Sequence, residues 1–242
     1  MKFWYRPLVA TILTLTVAGC GGGHGLSENL GSFAPGATWV YKVSGNVNLS
    51  AALGGGNQGL QPSSTFTVKV TSDTVKDAAN LDVNVMTRRF NLVLLDGRTL
   101  NANLRLFVTQ ESNGLFIHGI NESESDTLDP ANTHLVSSTS NPPFKFLYYP
   151  SPASPGRSVS YTDPLAIGRS YSFALHSNPR QTVHVPAGDF RAYVMDQVEG
   201  LTLQTTTAAF TPEVGVVAGN VTATLPDGSQ FNGTITLLSV KN

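Results

Sequence analysis

From Trp39 onward the chain is written in alternation. The runs "TWVYKVSGNVNLS", "STFTVKVTS", "NLDVNVMTRRFNLVLL" and "LNANLRLFV" carry Val, Phe, Leu, Thr and Tyr largely at every second position. Successive side chains of a strand point to opposite faces, so a two-residue period marks a sheet with one buried face. By this rule Phe66, Val68 and Val70 share a face, as do Leu81, Val83 and Val85, and again Leu104, Leu106 and Val108. No stretch of comparable length has a clear 3.6-residue period.

The breaks between runs are hairpin-like. "LDGRT" at 95–99, "ESNG" at 111–114 and "PDGS" at 226–229 supply the Asp, Asn and Gly that tolerate the backbone angles of tight turns. Strands joined so briefly run antiparallel. With a mean strand of about 5–6 residues, the pattern predicts a mainly β meander of about 9–12 strands with little helix. "LGGGNQGLQP" at 53–62 reads by composition as a mobile loop. The meander is interrupted over about 122–156, where a polar stretch leads into "FKFLYYPSPASPG" and its cluster Phe144, Phe146, Tyr148 and Tyr149. A connection this long is functional, mobile, or a join between parts of the fold. A faint echo links "PGATWVYKV" at 35–43 with "IGRSYSFAL" at 167–175, each opening a strand with two same-face aromatics. Two copies do not make a repeat, though they would suit equivalent starts of two half-sheets.

The N-terminus changes the picture from fold to location. Lys2 and Arg6 precede an apolar run from Leu8 to Val17, followed by Ala18, Gly19 and the single cysteine, Cys20. That is the order of a secretory signal peptide, and a run of about 12 residues falls short of the ~20 that span a bilayer. Small residues directly before a cysteine resemble the lipobox of bacterial lipoproteins. The resemblance implies that residues 1–19 are removed and that Cys20 carries diacylglycerol as the new first residue. The plainer alternative is an ordinary signal peptide followed by a free thiol. Gly21 in place of Asp implies, by the sorting rule of enterobacterial lipoproteins, an outer-membrane protein facing the periplasm. The Gly-rich residues 20–36 read as a flexible tether, which leaves 37–242 as the all-β domain.

Composition narrows the classes further. Only 13% of residues are charged, and loss of Lys2 and Arg6 with the signal moves the formal charge from −1 to −3. No basic patch suits nucleic acid. The five histidines, His24, His118, His134, His176 and His184, have no metal-site spacing, although His176 and His184 bracket a turn and could meet across a hairpin. Glu122, Glu124, Asp126 and Asp129 form an acidic group whose spacing is not that of a calcium loop, and a solvated polar loop is the simpler account. There is no Gly-x-Ser-x-Gly elbow, phosphate loop or dinucleotide fingerprint, so no cofactor, metal or catalytic residue is assigned. A catalytic triad assembled from distant residues would leave no such trace.

Two stretches in the second half carry a structural pattern: "VPAGDF" at 185–190 and "FTPEVGVVAGNV" at 210–221. Pro186 sets φ, Gly188 permits angles barred to other residues, and Phe190 is placed to fold back on the core, which reads as a scaffold turn. Together with "GATWVYKV" they resemble a loose set of secreted bacterial lipoproteins and envelope proteins, from which Glu213 departs where a glycine is usual. The resemblance implies a single strongly curved antiparallel sheet, an open or half β-barrel similar to the Lol lipoprotein carriers, and no catalytic residues.

Two functions follow as expectations. One is a membrane-tethered, non-catalytic binding or carrier module for an apolar ligand or protein partner, with Phe144, Phe146, Tyr148 and Tyr149 forming either the lip of its cleft or a core plug. The other is a structural or assembly component of the cell envelope acting through its surface or a sheet edge. An envelope hydrolase is a third class with no residues to assign to it.

Overall fold

Fifteen strands and one short 3₁₀ turn (Ala51–Leu53) organise the described residues. The computed structural model describes residues 30–31, 33–76, 80–121, 133–135, 145–162, 170–199 and 203–241. The strands are β1 (Thr38–Asn48), β2 (Asn57–Gly59), β3 (Thr65–Lys76), β4 (Asp82–Val93), β5 (Thr99–Glu111), β6 (Gly114–Asn121), β7 (Thr133–Leu135) and β8 (Phe146–Pro150). They continue as β9 (Ser158–Thr162), β10 (Ser170–Leu175), β11 (Gln181–Val185), β12 (Gly188–Glu199), β13 (Leu203–Thr211), β14 (Gly215–Thr224) and β15 (Gln230–Lys241). Signal segment, Cys20, Phe144 and the group Glu122 to Asp129 lie outside the described residues.

The sheet runs β7-β6-β5-β4-β3-β1-β15-β14-β13-β12-β10-β9, with the short β2, β8 and β11 branching from it. Every pairing is antiparallel, and the first and last long strands lie side by side, from Thr38 opposite Lys241 to Asn48 opposite Gln230. The main path thus holds twelve strands, within the predicted range, and the surplus strands are branches of three to five residues. This meander curls into a nearly closed barrel, open along one seam where β8 and β9 face each other with no ladder between them.

Side chains close what the backbone leaves open. Along the seam Phe146 and Tyr148 of β8 meet Tyr171 of β10 at ring-centroid distances of 5.2 and 4.9 Å, while Tyr149 meets Phe173 at 5.4 Å and Phe210 at 5.1 Å. The Tyr171 hydroxyl also donates to the Tyr148 carbonyl. Neighbouring Tyr148 and Tyr149 are both buried because β8 bulges: Tyr149 pairs with Leu115 and Leu147 with Phe116, leaving Tyr148 as the extra residue.

The alternation predicts the wall well and its faces less well. Phe66, Val68 and Val70 do line the interior, opposite Phe90, Arg88 and Met86 of β4. Leu81, expected on a buried face, is exposed, and Val83 and Val85 lie on the outer face in a separate cluster with Phe107. The physical reason is that β4 and β5 bury apolar residues on both faces, so parity alone does not say which set points inward. The echo segments do open β1 and β10 with buried pairs, Trp39 with Tyr41 and Tyr171 with Phe173. Five successive antiparallel pairings separate the two strands, so they run in opposite senses and no rotation about the barrel axis relates them.

One end of the barrel is plugged from within the chain. Phe33 is buried between Trp39, at 5.1 Å, and Tyr149, at 6.2 Å. Its backbone N–H donates to Gln110 Oε1 (2.9 Å), and Gln110 Nε2 donates to the Gly31 carbonyl (2.8 Å). Gly31 N–H donates to the Pro212 carbonyl (2.8 Å), and a Cβ at Gly31 would stand 1.9 Å from the Glu213 carbonyl oxygen, so only glycine fits. The tether predicted over 20–36 therefore reaches the barrel by Leu30, Phe33 within it is buried, and Ala34 to Gly36 are exposed although the Gly36 N–H donates to the Val70 carbonyl. At the same end the β11–β12 hairpin turns through Pro186 and Ala187, with Gly188 at φ +133°, and Ala187 N–H donates to the Leu237 carbonyl. Phe190 is half-buried against the main core.

Two regions expected to be irregular are built into the wall. In the 53–62 stretch, β2 pairs with β1, Leu60 bridges to Leu94, and Gln61 Nε2 donates to the Leu94 carbonyl (2.9 Å). Within the 122–156 insertion, β8 is a wall strand on β6.

Candidate functional site

The opposite end, which carries the β4–β5 and β14–β15 turns, holds a cleft. Its floor follows from β4, whose even-numbered residues Met86, Arg88, Phe90 and Leu92 face the interior. Phe90 stacks on Phe66 at 4.4 Å and lies 5.9 Å from Phe231, so three strands contribute one continuous aromatic surface. One wall is β5, where Ala102 and Leu104 remain only half-buried, and the other is Ala223 to Pro226 at the end of β14. The enclosed volume is about 310 Å³, and among the described residues that line it Arg88 is the one charged side chain.

The second wall is rigid for a local reason. Leu225 N–H donates to the Ser229 carbonyl (2.8 Å), and Asp227 accepts from both the Ser229 N–H and hydroxyl at 2.9 Å. Buried Ser229 Oγ in turn accepts from Ser50 N–H (2.9 Å), pinning this turn to the β1–β2 connection. Short polar side chains that bond their own backbone hold such turns without help from the core.

Arg88 is buried, at 7% exposure, on an otherwise apolar face. A guanidinium stays charged at any ordinary pH, so its burial demands hydrogen-bond acceptors and polarisable neighbours. Tyr148, reaching across from β8, supplies both: Arg88 Nη2 donates to its hydroxyl, and the guanidinium carbon lies 5.3 Å from its ring centroid. Arg88 also borders a second, inner space of about 40 Å³ whose lining includes Tyr41, Tyr149, Gln197 and Thr205. There the Tyr41 hydroxyl donates to the Val216 carbonyl (2.9 Å) and Tyr149 donates to Gln197 Oε1 (3.2 Å). Burial pushes the Tyr41 hydroxyl far above the usual phenol range, Tyr149 adds to the rise, and the charge of Arg88 opposes it.

The expected site residues fall out differently. Phe146, Tyr148 and Tyr149 are all buried, which puts them in the core and seam and not on an exposed lip. His176 and His184 each contact an aspartate: His176 Nε2 lies 2.8 Å from Asp196 Oδ2 and His184 Nδ1 lies 2.7 Å from Asp189 Oδ1. Asp196 is held below the ordinary aspartate range first by the Thr207 backbone N–H, at 2.9 Å, and then by His176. Neither pair lines the cleft. His118 is buried on Thr109, with Nε2 2.8 Å from the hydroxyl. Among the described residues no group of three or more His, Cys, Asp or Glu could hold a metal ion.

Arg88 and the cleft walls are the features that sequence reasoning misses. The signal was present: in "VMTRRFNLV", Arg88 shares the parity of Met86, Phe90 and Leu92, so a charge interrupts an apolar face. No family model matches the chain, and neither a curated protein nor a solved structure does.

Proposed function

We propose that this protein is an exported module, anchored to the bacterial outer membrane through a lipid on Cys20, that binds a small apolar or amphipathic ligand without catalysing a reaction. The observation that carries the reading is the cleft at the end of the barrel that the described residues leave unplugged. There Leu104 and Ala102 keep apolar surface half-exposed beside the Phe66–Phe90 stack, within a volume at the low end of the ~300–1,000 Å³ usual for ligand pockets. Exposed apolar surface in a concave, rigidly walled site favours a ligand that removes it from water. A half-barrel that carries lipid along an open concave face is a poorer fit, since Trp39, Phe173, Phe210 and Phe231 are each at most 2% exposed and the interior is filled by side chains.

The test is calorimetric titration of the full chain with octan-1-ol, with Cys20→Ser to keep the protein free of lipid and detergent. Binding that is saturable, and that Ala102→Trp removes by filling the cleft, supports the reading; equal heats from both proteins overturn it. Mass spectrometry of the mature N-terminus tests the anchor: diacylglycerol on Cys20 is expected, and a free thiol or a different cleavage point refutes it. The second reading, an envelope assembly component, draws on the unladdered seam between β8 and β9, where a partner strand would find edges. A stoichiometric protein partner recovered from solubilised membranes, with no ligand in the cleft, would favour it.

A further inference from the structure

We infer that the ligand carries a flat aromatic ring, which stacks on the face of Phe90 turned away from Phe66. This rests on the cleft being the ligand site. Across β1, β3, β4 and β5 one row of ladder partners reads Tyr41, Phe66, Phe90 and Ala102. Rings follow one another along this row: Tyr41 and Phe66 have centroids 5.5 Å apart, and Phe66 and Phe90 stack at 4.4 Å with 24° between their planes. With one face of Phe90 against Phe66, its other face looks along the row towards β5, where Ala102 offers a single methyl group. Directly opposed side chains on one sheet face have Cβ atoms about 4.5–5.5 Å apart, close enough for rings to stack. The strands thus set the place of a fourth ring, and the cleft that Phe66, Phe90 and Ala102 all line stands there instead.

The opposite wall repeats the arrangement. Along the end of β14 and just beyond it the inward series is Val221, Ala223 and Leu225, and Ala223 lies across the ladder from Phe231, whose ring is 5.9 Å from Phe90. In β5 the series is Leu100, Ala102 and Leu104, so each wall drops to a methyl group between two larger residues, beside a phenylalanine. A rounded aliphatic group would touch the face of Phe90 at few atoms, whereas a flat ring covers it. An aromatic ring is negative over its face and positive at its edge, so an offset ring on Phe90 gains attraction beyond burial that a saturated ring of the same skeleton lacks. The volume of about 310 Å³ suits a compact ligand of one or two rings.

The experiment compares benzyl alcohol with cyclohexylmethanol on the full Cys20→Ser chain by calorimetry, with octan-1-ol as the reference. The first two share a carbon skeleton and a hydroxyl, and the saturated ring is the more apolar, so burial alone favours cyclohexylmethanol. Benzyl alcohol should nevertheless bind about two- to tenfold tighter. Its ring protons should shift upfield in the bound state, the mark of a position over the face of another ring. Phe90→Leu should remove both the preference and the shift, and Ala102→Trp, which puts an indole in the same place, should remove binding of all three alcohols; thermal melts establish that each variant is folded. The comparison of the two ring alcohols and the proton shift need no variant, so they decide even if Phe90→Leu does not fold. Equal or weaker binding of benzyl alcohol, with cyclohexylmethanol or octan-1-ol removed by Ala102→Trp, overturns the aromatic ligand and leaves the cleft standing. A preference that survives Phe90→Leu, or ring protons that do not move upfield, overturns the stacking on Phe90. Failure of all three alcohols to bind in a manner sensitive to Ala102→Trp overturns the ring and the cleft together.

Discussion

The two ends of this barrel are made from the same strands and treated in opposite ways. At one end the chain plugs itself: Phe33 sits between Trp39 and Tyr149, and backbone N–H groups of Leu30, Gly31 and Phe33 donate to Ser151 Oγ, the Pro212 carbonyl and Gln110 Oε1. At the other, the turns are braced by their own polar side chains, Asp227 to Ser229 and Asp96 to Arg98, and Ala102 and Leu104 of the cleft wall are left half-buried. An end sealed with a large aromatic contributes stability; an end that leaves Leu104 and Ala102 partly in water gives some of it up. The proposed binding site lies at the end that the described residues leave unplugged.

That contrast can be broken, starting with the largest effect. Phe33→Ala should destabilise the fold by about 3–5 kcal/mol in chemical denaturation, because it empties a fully enclosed aromatic site. A loss under ~1 kcal/mol would mean the plug is not integral. Tyr148→Phe removes the hydroxyl that receives Arg88 and should cost about 1–3 kcal/mol, since a buried charged donor loses an acceptor.

Changes at the open end should be milder for stability. Ala102→Trp should shift unfolding by less than about 1 kcal/mol while abolishing octan-1-ol binding. A large destabilisation would show that Ala102 is core and not cleft wall.

The smallest effect lies on the outer surface at Asp196. Its carboxyl is held below the ordinary aspartate range by the Thr207 N–H and by His176, so its contribution is complete above the unfolded-state value and is lost as pH falls through the folded one. Because the group is largely solvated, screening keeps that contribution to about 0.5 kcal/mol. Below about pH 4, melting temperature should therefore fall slightly more steeply for the natural chain than for Asp196→Asn, with ligand affinity unchanged in the variant at neutral pH.

Much of the wall is legible in the residues themselves. A two-residue period with Asp-Gly turns encodes antiparallel strands wherever it occurs, because pleat and turn geometry are local. The reading loses force where the outcome depends on distant neighbours. Gly-rich 53–62 contains no apolar run, yet β2 forms there because β1 offers an unpaired edge and Leu94 a bridging partner. Arg88 stands in the sequence as one of two adjacent arginines, and its parity with Phe90 acquires meaning only when Phe66 and Phe231 pack on Phe90 and Tyr148 meets the guanidinium.

Local chemistry thus decides that this is a turn-rich antiparallel β protein of low charge, and the order Lys2, Arg6, apolar run, Ala18, Gly19, Cys20 carries the export and anchoring expectation. Tertiary structure alone decides that β1 closes on β15, that the aromatic cluster of β8 seals the seam, that Leu30 to Phe33 stop one end, and that Arg88 faces a cleft at the other. The reason is range. Periodicity and turns act over a few residues, whereas Phe33 with Tyr149 and Arg88 with Tyr148 meet, and Phe66 and Ala223 line one cleft, across tens to more than a hundred positions, where only the packed chain brings them together.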